Sequence, residues 1–581
     1  MINNLEKRKK TNLIIGWIVF AAINLIIILT TLLVKSSLHK IPWSGQAWLD
    51  AFLFLLNKVY LDNFFKLPAV LLGSLTFIGY LVIGRGLRES IIGFLKTVIG
   101  FILLQIGSGT LVSLAKPVFD GISKISGSSV GIVPLDPYFS LASQQNFFSN
   151  KDIFGNNSYV SLISFSFILG FAINIIMVAL KKWTNTNSLM ITGHVMLQQA
   201  AVVTAIFYVI LFQDLRIFDG TISFGEQTGL VIISGLFLGI YWATASTSTI
   251  KGTNAVTQNA GFAIGHQQMW AITASYKLGK YLGNKEDSAE HKKLPSYLKI
   301  FEDNIFTQTI IILSLFLTLF IVLIAVDPTK VIEKDLIKFT KDYDIWNKSF
   351  GGANFTLNII GGSLKIVASL IAIITGVRMF ITELQQSFHG ISEKIIPGAV
   401  VAVDVAAVYG FSINSVTFGF LSGVIGQFLG VALIIALSLI PGQNVVFIGI
   451  PLFITLFFNS GSLGVYANAS GGWKAALLLP GIIGFLEILI ISFASRALFN
   501  GSANNLSPLS GGYIGMADWN LFFGLLFWFS SYHFAVAWIL VIFAIITMIL
   551  IGMIVDNGSQ TKATFLQKIL KINPVLLPEN K

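Results

Sequence analysis

A succession of long apolar runs limits this chain more than any other feature. Leu13–Val34, Ile91–Val112, Tyr159–Leu180, Phe306–Val326 and Phe534–Val555 are nearly free of charge. Each has the roughly 20 residues that a helix needs to cross ~30 Å of hydrocarbon. No water satisfies backbone N–H and C=O groups there, so only helices or closed barrels span it, and runs this long are helical. The expected fold class is an all-α polytopic membrane protein. Further runs lie at Leu67–Gly84, near Phe212, and at Gly229–Thr244, Leu357–Ile381, Val416–Ile440, Val445–Phe458 and Trp473–Leu498. They bring the expectation to about 12 transmembrane helices, with the shorter runs as re-entrant hairpins. Only 11% of residues are charged, against about 25% in soluble domains.

Charge orients the spans. Lys7, Arg8, Lys9 and Lys10 precede the first run. That run is too long for a signal peptide and lacks a small-residue cleavage site, so it reads as a span with a cytoplasmic N-terminus. Arg85, Arg88, Lys181, Lys182 and the lysine-rich Lys277–Asn304 are placed inside by the same rule. Alternation puts Asp327–Gly352, with five lysines against five acids, outside. The tail, with Lys562, Lys568 and Lys571, returns to the cytoplasm. The net charge of +11 thus sets topology and does not point to nucleic acid. The absence of cysteine excludes disulfides, thiolate metal sites and a phosphocysteine on this chain. No metal spacing, phosphate loop, serine triad or carboxylate dyad stands out, so neither catalysis, cofactor nor metal is expected. His39, His291 and His533 read as loop or boundary residues.

Two polar interruptions break the apolar sequence. Met190–Ala200 reads M-I-T-G-H-V-M-L-Q-Q-A, and Gly261–Trp270 reads G-F-A-I-G-H-Q-Q-M-W. His194 and Gln198 are four apart and share a helix face. His266 and Gln267 follow Gly265, where a helix can break. Imidazole and carboxamide offer donors and acceptors without the full cost of a buried fixed charge. They bind a polar solute or cross-link helices. Half-helix N-termini would add partial positive charge. Asp404, in P-G-A-V-V-A-V-D, is an intramembrane carboxylate and a functional candidate by default. Its alternative is a helix-terminus partner.

Phe119-Asp120-Gly121-Ile122-Ser123 resembles Phe388-His389-Gly390-Ile391-Ser392, and each precedes an aspartate in an apolar stretch, Asp136 or Asp404. Ala179–Asn187 overlays Ala436–Asn444. With the topology above, the copies are inverted, a layout that places a transport site between repeats. Chance likeness of glycine-rich membrane sequence is the alternative.

The stretches 99–109 (I-G-F-I-L-L-Q-I-G-S-G), 191–200, 261–268, 376–384 (G-V-R-M-F-I-T-E-L), 390–404 and 515–519 (G-M-A-D-W), in this order, resemble the ascorbate-specific enzyme IIC permease family of the bacterial phosphotransferase system. The likeness covers roughly Leu53–Val555, and Leu13–Val34 has no counterpart in the family. The resemblance implies residues 1–50 as an added span and linker. Residues 51–556 would form the permease, with core and dimerising domains interleaved, and 557–581 a cytoplasmic tail. It implies a homodimer in the bacterial cell membrane that carries ascorbate or a related sugar acid inward. A separate IIB protein, charged by IIA, phosphorylates it. Tyr138, His194, Gln198, His266, Gln267 and Asp404 fall on the family's substrate positions. Pro137 stands where the family has a hydroxyl residue, which puts a contact from that position and strict ascorbate specificity in doubt. Arg378 and Glu383, near a cytoplasmic end, are a candidate ion pair, part of the IIB surface, or simply interfacial charges that set topology. The competing reading is an ion-coupled secondary transporter of an organic anion, with Asp404 carrying a proton.

Overall fold

The computed structural model describes the chain except residues 1, 56–57, 61–66, 126–131, 156, 213–220, 293–303, 334–336, 351–353, 397–398, 441–446, 500–508, 510, 559, 575 and 577–581. It is mostly helical. Among the described residues, ten helices are long and apolar enough to cross a membrane. The main helices are α1 (Ile2–Ser37), α2 (Gly45–Phe54), α3 (Pro68–Val82), α4 (Leu87–Ile125), α5 (Pro137–Phe148), α6 (Ser161–Ala179) and α7 (Gly193–Phe207). They continue as α8 (Phe224–Thr257), α9 (Met269–Gly279), α10 (Asn304–Val326), α11 (Phe355–Ile395), α12 (Ile413–Ser438), α13 (Ser460–Phe499) and α14 (Phe534–Ile554).

Two expected crossings differ. Leu67–Gly84 holds only the 15-residue α3, which begins where Pro68 supplies a pre-set φ. Val445–Phe458 contains a strand, not a spanning helix. The overlay position Asn444 lies outside the described residues.

The all-α expectation misses seven short strands among the described residues: β1 (Ile132–Leu135), β2 (Ser188–Met190), β3 (Ala263–Ile264), β4 (Ile332–Glu333), β5 (Lys338–Phe339), β6 (Val400–Val403) and β7 (Ile448–Pro451). β4 and β5 form an antiparallel hairpin. The others make two parallel sheets, β1–β7 and β2–β6–β3. Their physical role is hydrogen-bond accounting. Where helices break among buried apolar residues, the freed backbone groups must pair with protein. Ile191 N–H donates to the Ala402 carbonyl at 3.3 Å, and Gly265 N–H donates to that of Val403 at 2.8 Å. The outer edges are served by hydroxyls of α8. Asn187 and Ser188 N–H donate to Thr247 Oγ1, and Ile264 N–H to Thr249 Oγ1.

The chain divides into two compact units. The first comprises Met1–Leu104, Ser158–Ser164 and Ile374–Gly398. Within it the Tyr80 hydroxyl donates to Glu383 at 2.7 Å and Lys96 Nζ lies 2.8 Å from the same carboxylate. Glu383 thus takes its ion pair from Lys96, and Arg85 donates to Gln386 at 2.8 Å. Helices cross closely at Gly100 and Gly376, where a Cβ on either would meet the other's carbonyl oxygen. Small residues allow such crossings in membranes.

The second unit comprises Gln105–Asn157, Phe165–Ile373 and Ala399–Lys581. It holds both parallel sheets. Within α13 the helix kinks at Gly472, whose φ is 69°. A Cβ there would lie 2.2 Å from the Asn284 carbonyl oxygen and 2.5 Å from that of Asp287, so the turn and the approach both require glycine. That approach fastens the loop after α9. Asp287 accepts from Lys292 and from the Trp473 indole, and Glu290 accepts from Ser412, Asn414 and Ser415 at the start of α12.

Candidate functional site

The three-stranded sheet is a junction of three strand ends within the second unit. β2 leads through Thr192 into α7, which begins at Gly193 and carries His194 and Gln198. β3 leads through Gly265 to His266, Gln267 and Gln268, after which α9 begins. β6 ends at Asp404, which caps the short turn Val405–Phe411 by accepting from Ala406 N–H at 3.0 Å. The registers Met190↔Ala402 and Ile264↔Val403 bring these ends side by side.

Side-chain bonds then join the sequence-predicted residues. His194 Nε2 lies 3.0 Å from Asp404 Oδ2. Because a carboxylate only accepts, that ring nitrogen carries the hydrogen. Gln267 Nε2 donates to Gln198 Oε1 at 2.5 Å. Gln267 is fully buried, yet its Oε1 has no partner among the described residues. An unpaired buried acceptor costs about 1–3 kcal/mol, which a ligand N–H or O–H would recover. The cluster therefore offers an imidazole pair, a carboxylate and carboxamides within one polar nest. That set suits a small molecule carrying several hydroxyls.

Other residues in the nest were not anticipated from sequence. Gln268 accepts from the His266 ring at Nδ1, 2.6 Å, and from Gln267 N–H, 3.1 Å. Its amide donates to the Phe458 carbonyl and to Ser462 Oγ. Gln199 donates to the His266 carbonyl and accepts from the Trp242 indole. Thr192 donates to the Gly265 carbonyl at 2.5 Å. The only sequence signal was the doubled glutamine in both interruptions.

Tyr138 belongs to the other sheet. It stands second in α5, after β1 and the cap Asp136, is 8% exposed, and α5 packs along α7. The structure thus brings His194, Gln198, His266, Gln267 and Asp404 to one junction and sets Tyr138 on a neighbouring helix start. Pro137 opens α5, where its missing N–H costs nothing.

The expected help from half-helix N-termini needs correction at α9. Asp518 takes Trp270 N–H at 2.9 Å, Ala271 N–H at 2.8 Å and the Tyr241 hydroxyl at 2.6 Å. The positive end of α9 is thereby neutralised by a carboxylate. Asp136 does the same for α5. At α7 the cap residue, Thr192, makes no side-chain cap bond. Its first turn, which carries His194, keeps the partial charge that attracts an anion.

Comparison with known proteins decides the family. Residues 63–523 match EIIC-GAT, described as the PTS system sugar-specific permease component. The chain belongs to this family. One relative, named "Ascorbate-specific PTS system EIIC component", comes from Mycoplasma pneumoniae (strain ATCC 29342 / M129 / Subtype 1). It is 57% identical over 660 aligned residues, covering 99% of each chain. The protein is thus a multi-pass membrane permease component, and phosphoryl transfer is the work of other components. Within the permease, the strand-end junction is a place where buried histidine, glutamine and aspartate side chains converge.

Proposed function

We propose that this permease carries ascorbate or a closely related sugar acid inward across the bacterial cell membrane. A separate phosphorylated IIB protein, recharged by IIA, then traps the acid as its phosphate. The observation that carries this reading is the polar junction, with His194 paired to Asp404 beside the unsatisfied Gln267 acceptor. The 57% identity to a relative named for ascorbate supports it. Tyr138, His194, Gln198, His266, Gln267 and Asp404 would contact the substrate. The histidines and carboxamides would pair with its ring oxygens and hydroxyls, and the first turn of α7 would favour its negative charge.

The finer architecture belongs to the same proposal. Residues 1–50 add a span and linker, 51–556 form the homodimeric permease with core and dimerising parts interleaved, and 557–581 are a tail. Both termini face the cytoplasm. Besides the ten candidate spans, short apolar segments such as α3 form re-entrant hairpins. The inverted repeat is supported by a reciprocal exchange. Asp136 follows β1, which pairs with β7 from the second half, while Asp404 follows β6, which pairs with β2 from the first. The outward position expected for Asp335 lies outside the described residues.

Labelled-ascorbate uptake into vesicles tests the function, with and without an internal IIA/IIB relay. Accumulation should require the relay and ignore an imposed pH gradient. Accumulation driven by the gradient alone, and abolished in Asp404→Asn, would replace this reading with a proton-coupled carrier.

A further inference from the structure

We infer that Gln268 is a positioning residue that sets the proton on His266, so that the ring meets a substrate hydroxyl as an acceptor. The inference rests on the proposed substrate site and deepens it. The Phe458 backbone carbonyl can only accept a hydrogen bond, so the Gln268 atom 3.1 Å away must be the amide nitrogen. The same nitrogen reaches Ser462 Oγ at 2.9 Å. The orientation of the carboxamide is thereby decided, although an amide's two ends look alike by shape.

Oε1 of Gln268 then faces His266 Nδ1 at 2.6 Å and Gln267 N–H at 3.1 Å. A carboxamide oxygen has no hydrogen to give, so Nδ1 must hold one. In the neutral ring the remaining nitrogen, Nε2, is left with its lone pair. Gln268 is fully buried and His266 is 6% exposed, so water does not compete for this arrangement. The His266 ring also stacks on Phe458, centroids 6.3 Å apart and planes 19° apart, which holds its orientation. Phe458 therefore braces the ring with its side chain and directs the amide with its carbonyl.

The consequence is a division of labour between the histidines. His194 donates through Nε2 to Asp404, whereas His266 accepts through Nε2. A ligand with a hydroxyl proton to give is recognised at His266. An analogue in which that hydroxyl is methylated is refused there.

Nitrogen-15 NMR of histidine-labelled full-length protein in lipid bilayers tests this. The chain has six histidines, and the His266→Gln spectrum identifies the signals of interest. The parent, without substrate, should show a protonated Nδ1 and an unprotonated Nε2 at His266. Gln268→Met should lose that pattern and bind ascorbate about tenfold more weakly, the worth of one hydrogen bond. Singly O-methylated ascorbates should include one whose penalty in the parent disappears in Gln268→Met. A parent ring protonated at Nε2, alone or at both nitrogens, overturns the inference. So does a Gln268→Met variant with the parent pattern. The parent spectrum decides the proton even if the variant fails to fold. If ascorbate does not bind the parent, the substrate reading falls while the nitrogen pattern still stands.

Discussion

Asp404 and Asp136 are built alike and face different surroundings. Each follows a four-residue strand of a parallel sheet, and each accepts backbone N–H groups at the start of the next helical turn. Asp136 is 2% exposed and one of its oxygens takes both Tyr138 and Phe139 N–H. Its surroundings are devoted to closing the chain. The Asp136 N–H donates to the Tyr513 carbonyl, and Thr455 Oγ1 donates to the Leu135 carbonyl. Asp404 keeps 37% of its side chain exposed and turns its other oxygen to His194. The local code, strand then aspartate then helix, is the same. What separates Asp136, a cap alone, from Asp404, proposed as a binding group, is what the neighbouring strands deliver. β7 leads into the largely apolar Leu452–Phe458, while β2 and β3 lead into histidines and glutamines.

Three substitutions would break or sharpen that contrast. The largest effect is expected for Asp404→Asn. It keeps the shape and an acceptor but loses the charge paired with His194, so ascorbate affinity should fall by one to two decades, about 1–3 kcal/mol. The thermal midpoint of the purified protein should stay close to the parent's. An unchanged dissociation constant would make Asp404 a cap like Asp136.

Asp136→Ala should show the reverse pattern. Losing the cap of α5 should lower unfolding stability by about 1–2 kcal/mol, read by thermal or denaturant unfolding in detergent. The folded fraction should still bind ascorbate with a smaller loss than Asp404→Asn shows, less than the about 1.4 kcal/mol that makes a decade, the loss arising through Tyr138, whose N–H Asp136 holds. Weakened binding at an unchanged midpoint would move Asp136 into the site.

The smallest effect concerns a carboxylate at neither junction. Asp287 lies in the loop after α9, with its carboxyl below the usual range because Lys292 donates to it, helped by the Trp473 indole. A lowered folded value means that its contribution is present above the unfolded value of about 3.9. That contribution is lost as pH falls through the folded value. Amide protection factors of residues 284–292, corrected for the intrinsic rate at each pH, should therefore fall on acidification from about pH 5 to about pH 3, and Asp287→Asn should already show the low factors at the higher value. Protection factors that do not change over this range would show that the Glu290 contacts alone hold the loop.

Much of this was readable before any coordinates. The spans followed from run length, because hydrocarbon leaves a backbone few options. His194, Gln198, His266, Gln267 and Asp404 stood out because polar groups at that depth demand a reason. Their motifs carried the family resemblance, which the match over residues 63–523 and the 57% identical relative bear out. Gln268, Gln199 and Asp518 were visible as letters, but none had a legible role. Asp518 sits 248 residues from the Trp270 N–H that it accepts, and no local pattern announces a cap from so far away. The partner of Glu383 was likewise not legible. Arg378 is near in sequence and pairing with it was one of three open readings, but Lys96, 287 residues away, holds the ion pair.

The sequence alone determined that this chain spans a membrane, where its helices break and which polar groups lie at the breaks. Apolar length and local polarity are properties of consecutive residues. The tertiary structure decided which breaks pair with which. A strand of two to four residues carries too little pattern to choose a partner, and parallel strands must come from distant segments. The pairing of β6 with β2 and β3, and of β1 with β7, is what turns one aspartate toward a histidine and buries the other against backbone.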